Sequence, residues 1–166
     1  MSVFLRRILL SVLLAGAMLA FSPSATKAQS AKNITYVELA GNSLLYSLNY
    51  ERVITPKITG RVGLMQAGVG GVSFMIAPIM GNYLVGSGNH RLELGVGPQI
   101  FNVSIDTKGE DFGGFDESGT VVGGTATIGY RYQPTDGGFL FRIGVSPTFS
   151  SAGFLPWAGL SFGYAF

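Results

Sequence analysis

Ionisable side chains at alternating positions are the groups of this sequence that could do chemistry together. Each stands in a segment that is otherwise small or apolar: Glu38, Glu51, Arg61, Arg91, Glu93, Arg131 and Arg142. Alternate residues of a strand share one face, so these groups are expected to project into one interior. A buried charge is costly unless it is paired. The pattern predicts a packed glutamate–arginine network, with a proton or ion path as the alternative.

Other candidates for chemistry are weak. His90 is the single histidine, and it stands in a predicted turn, Gly86 to His90, without the serine and acid that a hydrolase triad needs. The one Gly-x-Ser-x-Gly stretch, Gly159 to Gly163, lies within the predicted last strand rather than at a strand-to-helix turn, so it is not a nucleophile elbow. The sequence contains no phosphate-binding loop. We therefore predict no catalytic residue and no cofactor.

The longest predicted loop runs from Asp106 to Ser118. It carries five acidic residues against Lys108, together with three glycines, which predicts a solvated loop. Carboxylates there could bind Ca²⁺, but Asp-Thr-Lys-Gly-Glu-Asp lacks the spacing of an EF-hand. No metal site is predicted.

The first residues are typical of a secretory signal peptide. Arg6 and Arg7 precede an apolar stretch from Ile8 to Phe21, which is too short for a comfortable membrane span. Small residues at 25–28 predict cleavage after Ala28, with Ala31 as the second choice and an uncleaved anchor helix as the alternative. The predicted division is a signal peptide at 1–28 and a single domain at 29–166.

Composition limits the class of the remaining domain. Charged residues make up 12% of the chain, about half the usual share for a soluble domain. Without the signal peptide, the chain has eight basic and nine acidic residues. The resulting net charge of −1 does not indicate nucleic-acid binding. The absence of cysteine excludes a lipoprotein anchor and disulfides. No later apolar run approaches 18 residues, so the remaining way to satisfy the backbone in lipid is a closed barrel.

The last segment, Trp157 to Phe166, has the clearest strand pattern. Its large residues alternate with Gly159, Ser161 and Gly163, so one face is large and the other is small. A small inner face suits a narrow barrel whose large residues face lipid.

Counting back gives eight strands in an antiparallel up-and-down transmembrane β-barrel. Compact turns are predicted near 55–57, 86–90 and 133–138, facing the periplasm, and loops near 41–43, 66–71, 106–118 and 150–156, facing outside. The seventh strand is predicted to continue to Phe149. A bulge or bend is predicted near Ile100 and Phe101, with irregularities at Pro78 and Pro98.

Aromatic residues are predicted to form two interfacial belts, one at each end of the barrel. The alternative is an ordinary aromatic core. The predicted belt residues are Tyr50, Tyr83, Tyr130, Tyr132 and Phe139 at one end, and Phe101, Phe149 and Trp157 at the other.

With these features the chain resembles the small eight-stranded outer-membrane β-barrels of the OmpA and OmpX types, over residues 32 to 166. In that family the last residue is typically Phe, preceded by apolar or aromatic residues at alternate positions. The resemblance implies that the barrel-assembly machinery reads this signal in Leu160, Phe162, Tyr164 and Phe166. The first outer loop, near Gly41, is much shorter than the family's.

The predicted function is a monomeric outer-membrane barrel, surrounded by membrane lipid, with a sealed, charge-plugged lumen. Its role would be structural, or would lie in interactions of the outer loops, and it would not be enzymatic. Three alternatives stay open: a narrow channel for ions or small solutes, a lipid-modifying enzyme, and a soluble lipocalin-like binder of an apolar ligand.

Overall fold

The computed structural model describes residues 31–69, 72–106, 116–151 and 153–166. The predicted signal peptide lies outside these residues. The described strands are β1 (Asn33–Ala40), β2 (Tyr46–Thr55), β3 (Ile58–Val69), β4 (Val72–Val85), β5 (His90–Asp106), β6 (Asp116–Tyr132), β7 (Gly138–Val145), β8 (Thr148–Ser150), β9 (Gly153–Leu155) and β10 (Ala158–Ala165).

Eight of these strands close into a barrel. Strands β1 to β7 and β10 pair antiparallel around the ring, and β10 returns to pair with β1. The register runs from Ile34 opposite Ala165 to Ala40 opposite Gly159. The all-β, eight-stranded antiparallel fold predicted from the alternation is therefore confirmed. Within the described ranges, no helix is long and apolar enough to cross a membrane.

The distribution of apolar residues is inverted relative to a soluble barrel. In β2, Tyr46, Leu48 and Tyr50 are exposed, whereas Ser47 and Asn49 between them are buried. Across the described residues, 31 large apolar side chains are exposed and nine apolar residues are buried. The apolar face therefore points away from the barrel, and the lumen receives the polar residues.

The predicted bulge near Ile100 and Phe101 is wrong. Strands β5 and β6 keep one register from His90 opposite Tyr132 to Asp106 opposite Asp116. Among the described strand pairs, a register shift occurs in the β2–β3 hairpin, between Val53 and Thr55.

Both prolines instead mark interruptions that leave the register unchanged. The β3–β4 pairing is interrupted beside Pro78, and the β4–β5 pairing beside Pro98. Because proline has no N–H, it removes a ladder hydrogen bond without requiring an inserted residue.

The seventh strand continues to Phe149, as predicted, with a local interruption at Pro147. Strand β7 ends at Val145, and β8 resumes the same register against β6, with Thr148 opposite Thr125 and Phe149 opposite Gly124. Across the interruption, the N–H of Ser146 donates to the carbonyl of Trp157 (2.6 Å) and the carbonyl of Pro147 accepts from the N–H of Ala126 (3.0 Å). Strands β8 and β9 thus form the tip of the β7–β10 hairpin.

Two predicted loops are shorter than expected. Strand β3 continues to Val69 and β4 begins at Val72, and β5 and β6 remain paired as far as Asp106 and Asp116. A strand that stands above the rim can carry polar side chains on both faces because both meet water. The middle of the acidic loop, residues 107–115, lies outside the described residues.

The connections divide into two kinds. At the turn end lie the short turns after β2, β4 and β6, where the backbone N–H of Asn33 also donates to the carbonyl of Phe166 (2.9 Å). At the loop end lie the connections after β1, β3, β5 and β7. The walls built by β3 to β6 extend further at the loop end than those of β1 and β2.

Candidate functional site: the filled lumen

The lumen is filled in three layers. The layer at the turn end is apolar and packs Ile34, Leu140 and Ala165, none of which is exposed, with Leu84 1% exposed. Tyr36 joins this cluster and carries it toward the middle of the barrel. Polar Thr59 and Asn82 are also buried near this end, where Asn82 Nδ2 donates to Thr59 Oγ1 (3.2 Å).

The middle layer is ionic and centres on Glu93. Arg142 donates two hydrogen bonds to this carboxylate, from Nε to Oε2 (2.8 Å) and from Nη2 to Oε1 (2.6 Å). Arg131 donates a third, from Nη1 to Oε2 (3.1 Å). The three side chains are 5% exposed or less. A fork of two parallel N–H bonds is the strongest geometry available to a guanidinium and a carboxylate.

The ionic layer extends to both sides of Glu93. Arg131 Nη1 also lies 2.8 Å from Glu51 Oε1, and its Nε donates to Gln133 Oε1 (2.8 Å). On the other side, Glu38 Oε1 lies 3.5 Å from Arg61 Nη1 and 3.9 Å from Arg142 Nη1. The six side chains balance to zero formal charge.

Tyr36 links this layer to the apolar one. Its hydroxyl accepts a hydrogen bond from Arg61 Nη1 (3.0 Å), and the guanidinium carbon of Arg142 lies 4.8 Å from the ring centroid. A ring face attracts a cation, so one side chain contacts two guanidinium groups.

Strand register explains why the charges meet. Arg131 of β6 lies directly opposite Arg142 of β7, a pair that would repel each other across neighbouring strands. Glu93 of β5 pairs with Gly129 of β6, and its carboxylate reaches both guanidinium groups. A Cβ at Gly129 would lie 2.5 Å from the carbonyl oxygen of Ile143, so this glycine allows β7 to approach closely. The acid therefore offsets a repulsion that the register imposes.

Arg91 does not join the predicted network. It is only partly buried and stands at the turn end, where Nε donates to the carbonyl of Gly88 (2.9 Å) and Nη1 to that of Pro56 (3.5 Å). It is the second residue of β5, so its side chain is level with the turns rather than with Glu93.

The layer at the loop end comes from the first loop, which sequence parity does not reveal. A single 3₁₀ turn, Gly41–Ser43, folds into the lumen and is fully buried. We call it the inner turn. Its backbone is held by Glu38, whose Oε2 accepts from the N–H of Asn42 (3.3 Å), and by Gln99, whose Nε2 donates to the carbonyl of Asn42.

The Asn42 side chain ties this turn to the opposite wall. Its Nδ2 donates to Thr125 Oγ1 (2.6 Å) and to the carbonyl of Ala126 (3.1 Å). Its Oδ1 accepts from Arg61 Nη2 and from Thr127 Oγ1 (3.0 Å). One amide thus contacts the ionic layer and strand β6 together.

The inner turn is held in an unfavourable backbone conformation. Ala40 and Leu44, which flank it, both have positive φ (57° and 69°), at a cost of roughly 1–3 kcal/mol each. Trp157 Nε1 donates to the carbonyl of Leu44 (2.9 Å). A Cβ at Gly159 would lie 2.6 Å from Gly41 Cα, so this glycine makes room for the turn.

The aromatic side chains predicted as belts are placed as follows. Tyr50, Tyr83, Tyr130 and Phe139 are exposed at the turn end, and Phe149 and Trp157 at the loop end; Tyr132 is half-buried. Phe101 does not belong with the outward residues. Because β5 keeps its register, Phe101 shares the inner face with Gln99.

The outward face of the last strand carries the predicted assembly signal. Phe162, Tyr164 and Phe166 are exposed and Leu160 is half-buried. These four side chains stand on the same outer face of the barrel.

His90 stands at the rim of the turn end, where Nδ1 lies 2.5 Å from the hydroxyl of Tyr130. Its aromatic neighbours are Tyr130 and Tyr132. In the part of the chain that the structure describes, no group of three His, Asp or Glu side chains is placed to hold a metal ion.

Replacing Glu93 by Gln tests the ionic layer. The substitution leaves two buried guanidinium groups without their shared carboxylate, and we expect the free energy of unfolding to fall by about 3–5 kcal/mol. Urea unfolding in lipid vesicles, followed by tryptophan fluorescence, measures the change. Asp136→Asn, at an exposed turn residue, is the matched control and should shift it by less than about 0.5 kcal/mol. Equal effects of the two variants would contradict the arrangement.

Replacing Asn42 by Ala tests the inner turn. It removes the amide that bonds to Arg61 and β6, and we expect a loss of about 2–4 kcal/mol. Asn102→Ala is the control, because Asn102 makes its side-chain bonds outside the lumen, at the loop end, and should lose about 1 kcal/mol or less. If Asn42→Ala is as stable as the control, the turn does not fill the lumen as described.

The geometry was compared with known proteins. No family model and no curated protein sequence matches this chain. Among solved structures, the chain is similar to the N-terminal β-barrel domain of Pseudomonas aeruginosa OprF, at 15% identity and a TM-score of 0.60, over 83% of this chain and 100% of that one.

It is also similar to Ail, the attachment invasion locus protein of Yersinia pestis, at 13% identity and a TM-score of 0.55, over 85% of this chain and 100% of that one. The Neisserial surface protein A matches at 16% identity and a TM-score of 0.51, over 81% and 94%. The chain therefore has the fold of the small eight-stranded barrels of bacterial outer membranes.

Proposed function

We propose that this chain is an integral outer-membrane β-barrel with a sealed lumen and a non-catalytic role. The observation that carries the proposal is the Glu93 carboxylate held between Arg131 and Arg142 across the middle of the lumen. An eight-stranded barrel is just wide enough for side chains to fill, and here an apolar layer and the inner turn stand on either side of the ions. The chain supplies three successive barriers to a solute.

The exterior supports a membrane location. A soluble protein does not expose an apolar surface on every strand of a closed barrel, since such patches associate in water. From Ala158 to Ala165 the last strand rises about 23 Å along its own axis and about 18 Å along the barrel axis at a typical tilt, which covers most of the apolar band of an outer-membrane barrel. Exposed tyrosines at one end and Trp157 at the other fit interfacial anchoring.

Export and assembly follow from the same proposal. The predicted signal peptide, residues 1–28, would direct export, and the turn end would face the periplasm. The barrel-assembly machinery would read Leu160, Phe162, Tyr164 and Phe166, the outward residues of the strand that closes the barrel against β1. Because the ring is closed by its own strands, a monomer satisfies the backbone without a partner.

Any specific activity is proposed to lie at the loop end, facing outside. Strands β5 and β6 stand above the rim there, with Val121 43% and Val122 66% exposed. The β8–β9 hairpin adds Phe149 and Phe154, whose tilted rings are in contact, with 5.1 Å between their centroids. An exposed apolar hairpin on a rigid barrel is a suitable contact surface for another molecule, which supports a structural or interaction role.

The sealed lumen is tested by electrical recording. Purified full-length protein, refolded and added to planar lipid bilayers, is expected to give no single-channel steps, because the apolar, ionic and inner-turn layers leave no continuous water path. A porin recorded in the same chamber shows that small steps would be detected. Reproducible steps from the folded protein would overturn the sealed lumen in favour of a narrow channel.

A further inference from the structure

Basic residues outside the lumen gather at one end of the described barrel. In the described chain, the basic residues that do not face the lumen all lie at the turn end: Lys32, Arg52, Lys57 and Arg91. Asp136 is the one acidic residue described at that end. At the loop end, Asp106, Asp116 and Glu117 close the β5–β6 pairing, and no basic residue is described there.

Backbone and side-chain contacts join these four basic residues into a continuous arc. The carbonyl of Lys32 accepts from the N–H of Val53, the residue next to Arg52 (2.8 Å). Arg91 Nη1 donates to the carbonyl of Pro56, the residue next to Lys57 (3.5 Å). The arc therefore runs from the start of β1 across the β2–β3 turn to the start of β5.

The positions of Tyr50 and Arg52 on β2 indicate how deep the arc lies in the bilayer. The two residues stand two positions apart on the outward face of β2, and both bond to Asn33 Oδ1, Tyr50 from its hydroxyl (2.8 Å) and Arg52 from Nη1 (3.2 Å). Tyrosine hydroxyls in such a belt lie at the headgroup level of a bilayer. A long basic side chain just beyond them extends toward the lipid phosphates.

No acidic side chain in the described part of the chain neutralises the arc. Among the described residues, Lys32, Arg52, Lys57 and Arg91 form no ion pair with a carboxylate, and the first three are exposed. Arginine and lysine are the usual partners of phosphate, arginine through a planar fork and lysine as a point charge.

We propose that this turn-end basic arc binds the phosphate headgroups of anionic phospholipids in the periplasmic leaflet. The inference rests on the proposed membrane location. Four cations on one side of the rim give the barrel a preference for anionic over zwitterionic lipid at this end. The loop end, where acidic residues gather, has no such preference.

Fluorescence quenching by brominated lipid measures this preference. The turn-end reporter is Tyr50→Trp combined with Trp157→Phe, so that one tryptophan stands beside Arg52. The loop-end reporter is the natural protein, whose single tryptophan is Trp157. Each is refolded in phosphatidylcholine vesicles that contain the same fraction of brominated phosphatidylglycerol or of brominated phosphatidylcholine, at low salt.

At the turn end, brominated phosphatidylglycerol is expected to be enriched on the order of threefold over brominated phosphatidylcholine. At the loop end, the two lipids should quench equally. Salt at about 0.5 M should remove the enrichment, because it screens exposed charges. Arg52→Gln with Lys57→Gln should remove it in the turn-end reporter, whereas Arg52→Lys, which keeps the charge, should retain most of it.

Three results would count against the proposal. Equal quenching by both lipids at the turn end would overturn the basic arc while leaving the membrane location intact. Undiminished enrichment in the double glutamine variant would assign the binding to other residues. Failure of either brominated lipid to quench either reporter would contradict the membrane location, and the lipid site with it.

Discussion

The shared carboxylate of Glu93 is the interaction on which the interior of this barrel depends. Strand pairing places Arg131 opposite Arg142, and no rotation of either strand can separate them without moving the apolar face inward. Two buried guanidinium groups side by side are tolerable only with an acid between them. Glu93 fills that place, bonding to both guanidinium groups. The Glu93 side chain thus offsets the repulsion between the two arginines and also fills the middle of the lumen.

The rest of the molecule follows from the same inversion. Because ions and amides occupy the lumen, the large residues of each strand must face outward, and a surface of that kind is stable only in lipid. The apolar layer at the turn end and the inner turn at the loop end shield the ions from water on either side. Low dielectric strengthens the pairs while it raises the cost of any unpaired member. The barrel is rigid inside, and its variable parts project at the loop end.

Much of this arrangement is readable from the sequence because a strand has a period of two. Once Phe162 and Tyr164 face outward, parity indicates that Glu38, Glu51, Arg61, Glu93, Arg131 and Arg142 face inward, and each is buried in the structure. The alternation of inward and outward residues has no predictive value where the chain leaves the paired strands. It cannot show that Asn42 folds into the lumen, since that depends on positive φ at Ala40 and Leu44. Nor can it show depth, so Arg91 resembles its neighbour Glu93 in pattern but lies at the rim.

The inverted barrel is the central claim, and it is tested most directly by spin labels on its outward face. Labels at Ile143, Leu160 and Phe162, with one at Asp136 in a turn, would be examined in lipid bilayers by electron paramagnetic resonance. The strand labels are expected to collide more often with oxygen, which concentrates in lipid, than with a water-soluble nickel complex, and the turn label should show the reverse. Strand labels that collide mainly with the nickel complex, or with neither reagent, would contradict a lipid-facing exterior around a charged core.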